Sequence, residues 1–208
     1  MTKTKLILIA GPSGSGKSTL AAALRSQLGV SNATILPMDA YYRDMSHLAH
    51  SERAKCNFDH PDSLEWHLLI SHINKLMSGE TVHVPVYSFA DHARCTNTQE
   101  YEPAPWLVLE GIHALFNSSI RARASLSVYM DAARDTCLKR RLDRDLGERG
   151  RTPECVRIQF DSQVWPMALE WVLPQKNRAD CVIPETLDLE LATAKLMDRL
   201  LQIQRTSP

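Results

Sequence analysis

Apolar residues fall in blocks along this chain, and the spacing inside the blocks changes from one to the next. Lys5–Ala10 (KLILIA) is an unbroken apolar run after its first residue and stops at Gly11. A short run without alternation predicts a strand buried on both faces. Beyond Gly16 the period lengthens: Leu20, Leu24 and Leu28 recur every fourth residue and mark one helix face. Residues 33–38 predict a second strand, with Pro37 at its end. Asp62 or Ser63 is placed to cap a helix running to Met77, with Leu69, Ile73 and Leu76 in one stripe and Gly79 as its stop. Residues 82–89 alternate only in part and contain Pro85, which suits a hairpin arm or an edge strand. Residues 106–109 and 126–130 are further buried strands, followed at once by Glu110 and Asp131. Residues 132–145 and 153–167 read as helices and Cys181–Pro184 as a last short strand. Leu189, Ala192, Leu196, Leu200 and Ile203 make a C-terminal amphipathic helix. Strands alternating with helices predict an α/β fold, a parallel sheet flanked by helices on both faces.

Composition narrows the class. At about 150 residues per domain, a chain of 208 residues is one compact domain with an insertion. Apolar content of 44% and charged content of 23% are ordinary globular values, which excludes a disordered or fibrous chain. The 24 basic and 24 acidic side chains cancel, so net charge points to neither nucleic acid nor an anionic membrane as partner. The apolar run of residues 6–10 is too short for a membrane span or a signal sequence. Cys56, Cys95, Cys137, Cys155 and Cys181 are odd in number and scattered, with no C-x-x-C pair. That argues against a disulfide framework or zinc site and for idle or buried thiols in a reducing, cytoplasmic setting.

The strongest chemical signal is Gly11-Pro12-Ser13-Gly14-Ser15-Gly16-Lys17-Ser18, a match to G-x-x-x-x-G-K-[ST]. Glycines let main-chain amides approach an oxyanion, and the following helix aims free N–H groups and its positive dipole end at the same anion. Lys17 adds a point charge for the β and γ phosphates, and the Ser18 hydroxyl is a ligand for Mg²⁺. A chance match in a chain of this size is on the order of one in a hundred, and this one lies between a strand and a helix, as the chemistry requires. Gly11 to Ser18, with Thr19 beside them, therefore predict a site for a nucleoside triphosphate with Mg²⁺.

Ligands of open parallel sheets sit beyond the carboxyl ends of the strands, and Asp39, Glu110 and Asp131 lie there. Asp39 and Glu110 are candidates for a base toward an acceptor hydroxyl and for metal-ion work; Asp131 is expected to cap the helix after it. Between Arg134 and Arg151, seven basic residues (Arg134, Lys139, Arg140, Arg141, Arg144, Arg149, Arg151) face four acids (Asp135, Asp143, Asp145, Glu148). This stretch reads equally as an arginine-bearing lid over the triphosphate or as a solvated helix laced with ion pairs. Residues 41–94 collect Tyr41, Tyr42, Phe58, Trp66, Tyr87 and Phe89 with His60 and His92 and few cations. That pattern fits a neutral, planar acceptor better than a sugar phosphate.

Several collinear motifs carry a family resemblance. They are residues 38–43 (MDAYYR), 57–62 (NFDHPD), 85–94 (PVYSFADHAR), 110–115 (EGIHAL) and 144–151 (RDLGERGR), with 176–184 (KNRADCVIP) behind them. Together with the phosphate loop they resemble the uridine (uridine–cytidine) kinase family from residue 5 to about residue 184. The resemblance implies a P-loop kinase fold with a small β-hairpin nucleoside-binding insertion, near residues 80–105, and an arginine-rich lid, near 134–152. It implies transfer of the γ-phosphoryl group of ATP or GTP, with Mg²⁺, to the 5′-hydroxyl of uridine or cytidine in pyrimidine salvage, and a homotetramer. By position, Asp39 resembles the catalytic base, assisted by Lys17, Arg144, Arg149 and Arg151. Asp59 resembles the partner of the ribose hydroxyls. Tyr42, Phe58, Tyr87, Phe89 and His92 resemble the base pocket, Arg141 and Gln159 further nucleoside contacts, and Ser18 and Glu110 the metal ligands. Ser88 stands where the family usually has aspartate, and Ala40 replaces a commoner small polar residue or acid. Two other readings compete: a phosphoribulokinase-like or other small-metabolite kinase on the same fold, and a nucleotide-gated binding protein without acceptor chemistry.

Overall fold

A computed structural model describes residues 4–53, 55–148 and 151–206. Its elements in chain order are β1 (Lys5–Ala10), α1 (Lys17–Leu28), β2 (Ala33–Pro37), α2 (His50–Arg53), α3 (Trp66–Ser78), β3 (Val82–Ser88), β4 (Ala93–Tyr101) and β5 (Trp106–Glu110). There follow α4 (Ser118–Arg121), β6 (Ala124–Asp131), α5 (Arg134–Glu148), α6 (Pro153–Gln159), α7 (Trp165–Met167), β7 (Cys181–Pro184) and α8 (Leu189–Thr206). The central sheet has the order β2-β5-β1-β6-β7, with each neighbouring pair parallel. β3 and β4 pair antiparallel in a separate ribbon.

The unbroken apolar runs are explained by cover on both sides. Leu6, Leu8, Leu107, Leu109 and Tyr129 face one layer, with α3 and the base of the ribbon. Ile7, Ile9, Val108, Val128 and Met130 face the other, with α1 and α8. Successive strand residues point to opposite faces, so a doubly covered strand has no polar side to show.

The register then sets the site. Ile9 of β1 and Pro37 of β2 both align with Glu110 of β5. The chain therefore leaves β1, β2 and β5 at one edge, where the phosphate loop, Asp39 and Glu110 begin. Gly111 permits this crowding: a Cβ there would lie 2.6 Å from the Met38 Cβ.

Three local expectations are corrected. Asp62 and Ser63 do not cap α3. They belong to a 3-10 turn, Pro61–Ser63, in which the His60 ring accepts from the Asp62 amide, and α3 begins at Trp66. The helix expected over 153–167 runs on through π-helical turns and a 3-10 turn to Arg178; Pro166 lies in the short α7 between the two π-helical turns. Asp131 pairs with Lys176 at 2.7 Å, and it is Glu185 that accepts from the Ala133 amide ahead of α5.

Candidate active site

The phosphate loop bridges β1 and α1. The Ser15 amide donates to the Pro12 carbonyl at 3.1 Å, which closes the loop on itself. Gly14 sits at φ 84°, and a Cβ there would meet the Cys137 carbonyl oxygen of α5 at 2.5 Å, so both backbone and space require glycine. No side chain caps α1, which leaves its first amides to an incoming anion. Lys17, only 8% exposed, rests its ammonium on the Pro12 carbonyl at 2.9 Å. Burial pulls its pKa below the ordinary lysine value, against the attraction of Glu110 and Asp39.

A cleft of about 680 Å³ opens over this loop. Ser13, Gly14, Gly16, Lys17, Ser18 and Thr19 form its floor, while Gly11, Pro12 and Ser15 are buried behind it. On one side the Ser18 hydroxyl donates to Glu110 Oε1 at 3.0 Å. Burial raises the Glu110 pKa, with Lys17 opposing. A hydroxyl and a carboxylate side by side next to a triphosphate loop are hard oxygen donors of the kind Mg²⁺ takes together with phosphate and water. Asp39 reaches the same cleft from the 3-10 turn Met38–Tyr41 that follows β2.

Beyond Asp39 the wall is aromatic. Tyr42 lies 5.3 Å from Phe58 and 5.2 Å from Tyr87 between ring centroids. Tyr87 meets Phe89 edge to face, and His92 stacks on Phe58 at 5.4 Å with 14° between planes. Such offset and edge contacts fix rings in place. Asp59 shares this part of the cleft; burial raises its carboxyl pKa, with Arg141 opposing and Asp39 adding to the rise. Ser88, where the family usually has aspartate, donates to Asp91 Oδ2 at 2.6 Å across the turn of the hairpin.

α5 and the residues after it supply the opposite wall. Arg140 donates to the Ser15 carbonyl at 3.2 Å, and Arg141 to the Ser13 hydroxyl at 3.0 Å. Gln159 Oε1 accepts from Arg141 at 2.9 Å and from Arg151 at 2.6 Å. Asp145, with 0% of its side chain exposed, pairs with Arg144 at 2.8 Å and lies 3.5 Å from Arg141 and 3.7 Å from Arg151. Such a buried carboxylate organises the cations rather than adding much net stability. The arginines are thus held over the loop around one buried acid, an order that the solvated-helix reading does not predict.

The cleft brings together Asp39, Asp59, Tyr42, Phe58, Tyr87, Phe89, His92, Glu110, Arg141, Arg144, Arg151 and Gln159. Arg149 lies outside the described residues. Two residues escaped the reading of the sequence. Asp145 looked like one acid of several in a charged helix, and nothing in the spacing sets it apart from Asp143 or Glu148. His113 looked like part of a motif only; its partner lies 54 residues away.

Comparison with known proteins agrees over most of the chain. Residues 6–192 match the Phosphoribulokinase / Uridine kinase family. A uridine kinase of Pasteurella multocida is 44% identical over 183 residues, 86% of this chain and 85% of that protein. A uridine kinase of Shewanella baltica is 42% identical over 199 residues, 94% of each chain. Among solved structures, phosphoribulokinase from Rhodobacter spheroides is similar with a TM-score of 0.65 at 16% identity, covering 88% of this chain and 71% of that one. The last likeness concerns the fold alone.

Proposed function

Because the chain belongs to the phosphoribulokinase / uridine kinase family, we propose that it is a nucleoside kinase that moves the γ-phosphoryl group of ATP or GTP to the 5′-hydroxyl of uridine, and of cytidine, in pyrimidine salvage. One observation supports this above the others: the phosphate loop, the Ser18–Glu110 pair, Asp39 and the aromatic wall with Asp59 line a single cleft. A phosphoryl donor and a planar, hydroxyl-bearing acceptor then meet without moving between sites.

Each group has a chemical task in this reading. The loop amides and Lys17 hold the triphosphate. Ser18 and Glu110 hold Mg²⁺, which when bound neutralises phosphate charge. The Asp39 carboxylate accepts the proton of the 5′-hydroxyl as that oxygen attacks in line. Asp59 takes the ribose hydroxyls, and Tyr42, Phe58, Tyr87, Phe89 and His92 hold the base. Lys17, Arg144 and Arg151 spread charge away from the transferring group, with Arg149 assigned to the same set by resemblance. Residues 80–105 serve as the nucleoside-binding subdomain and 134–152 as the lid. A cytoplasmic homotetramer completes the assignment; none of the helices among the described residues is long and apolar enough to cross a membrane.

The test is a product panel. The protein is incubated with Mg·ATP or Mg·GTP and uridine, cytidine, adenosine, pantothenate or ribulose 5-phosphate, and products are identified by mass. Uridine and cytidine monophosphates are expected. Turnover of ribulose 5-phosphate without uridine would transfer the chain to the sugar-phosphate branch of the family. Slow hydrolysis of nucleotide with no phosphorylated product would make it a binding protein.

A further inference from the structure

His113 stands three residues beyond Glu110, past the end of β5, and is 1% exposed. Its Nε2 lies 2.9 Å from the carbonyl oxygen of Asp59. A carbonyl only accepts, so Nε2 carries the proton and Nδ1 is left as an acceptor. That Nδ1 is buried and has no hydrogen-bond partner among the described residues. An orphan of this kind is costly, and an apolar side chain in the same space would avoid it. The bond to Asp59 is what the imidazole offers in return. Burial also pushes the ring pKa down to about 4, so the neutral donor form persists at working pH.

Phe58 packs its ring against Tyr42 and His92, but the other hydrogen bonds of this loop among the described residues are local or peripheral. The Asp59 amide donates to Asn57, and the Ser63 hydroxyl to the carbonyls of Phe58 and His60. Asn57 accepts from Gln163 at an exposed position. His113 instead joins the peptide of Asp59 to the segment leaving the central sheet, the same segment that carries Glu110. The carbonyl and the carboxylate of Asp59 share one Cα, so anchoring the first limits where the second can point.

We propose that His113 is a positioning residue for the acceptor: its Nε2–H holds the Asp59 main chain, sets the Asp59 carboxylate against the ribose hydroxyls, and so determines how strongly a ribonucleoside is preferred over its 2′-deoxy counterpart. This rests on the reading that Asp59 meets those hydroxyls.

The experiment compares kcat/KM for uridine and 2′-deoxyuridine, together with the KM for ATP, in wild type, Asp59→Ala, His113→Gln, His113→Asn and His113→Leu. Glutamine keeps an amide N–H near the Nε2 position, asparagine is polar but too short, and leucine removes the donor. Wild type is expected to prefer uridine, and Asp59→Ala to bring the ratio near one. His113→Asn and His113→Leu should lower the ratio about tenfold, the worth of one good hydrogen bond, while His113→Gln keeps most of it and the ATP KM stays put throughout. If Asp59→Ala erases the preference and the asparagine and glutamine variants match wild type, the inference about His113 is wrong and the role of Asp59 stands. If Asp59→Ala leaves the preference intact, both fall. A leucine variant that does not fold leaves the asparagine–glutamine comparison to decide.

Discussion

Asp39 owes its place to its neighbour. Pro37 has no N–H for a ladder, β2 ends there, and the 3-10 turn that follows carries Asp39 into the cleft while Met38, Ala40 and Tyr41 go into the core. Ala40 is therefore a packing residue here, and its departure from the family pattern leaves the acid untouched. Asp39→Asn keeps the shape and removes the carboxylate proposed as the base. Its kcat should fall by about 10²–10⁴, the usual worth of a general base, with the KM values for nucleotide and nucleoside within a few-fold of wild type. Steady-state kinetics with uridine and Mg·ATP decide this, and turnover at the wild-type rate would remove Asp39 from the chemistry.

The hairpin shows how an element can act on a residue it does not contain. β3 carries apolar residues at Val82 and Val84, and its pattern was readable. β4 (ARCTNTQEY) is polar and exposed along most of its length, so no periodicity betrayed it; the pattern of residues 82–89 suited a hairpin arm or an edge strand, and the family resemblance chose the hairpin. Between the arms, His92 adopts φ 50°, the left-handed region that non-glycine residues seldom enter. The Ser88–Asp91 hydrogen bond spans the turn just before it, and the Asp91 amide returns a bond to Ser88 Oγ at 3.2 Å. Ser88 and Asp91 thus tie the two ends of this turn together. Ser88→Ala or Asp91→Ala should raise the nucleoside KM roughly two- to tenfold, the range of one partly exposed hydrogen bond, without changing the ATP KM. An unchanged nucleoside KM in both variants would show that the turn holds His92 without this pair.

At the scale of the whole molecule, two apolar layers hold one sheet, and buried polar groups set how stability responds to pH. Burial lowers the pKa of His113 to about 4 and lowers that of His72, whose Nδ1 lies 2.9 Å from the Tyr41 hydroxyl. An unfolded histidine titrates near 6.5. Between that value and the folded one, the unfolded state binds more protons, so stability falls as pH falls. The His113 shift alone amounts to roughly 3 kcal/mol once pH reaches about 4. Urea unfolding at pH 7.5 and pH 4.5 should show a smaller acid loss in His113→Gln than in wild type. Equal losses would mean that His113 is not a neutral buried imidazole in the fold.

What could be read along the chain was what local geometry dictates. A strand covered on both faces must be apolar throughout, and a loop that wraps phosphate must combine glycines, a lysine and a helix start, so β1, β5, β6 and residues 11–18 were plain without coordinates. The family motifs added Asp39, Asp59 and the rings by resemblance. Only the folded chain decided who meets whom: Arg141 reaches Ser13 across 128 positions, Ser18 reaches Glu110 across 92, and His113 reaches Asp59 across 54. No period or composition records such pairs, because they arise where strand register and helix packing bring distant segments to one edge of the sheet. Asp145 makes the same point, since burial among Arg141, Arg144 and Arg151 is a property of the packed molecule and not of the helix that carries it.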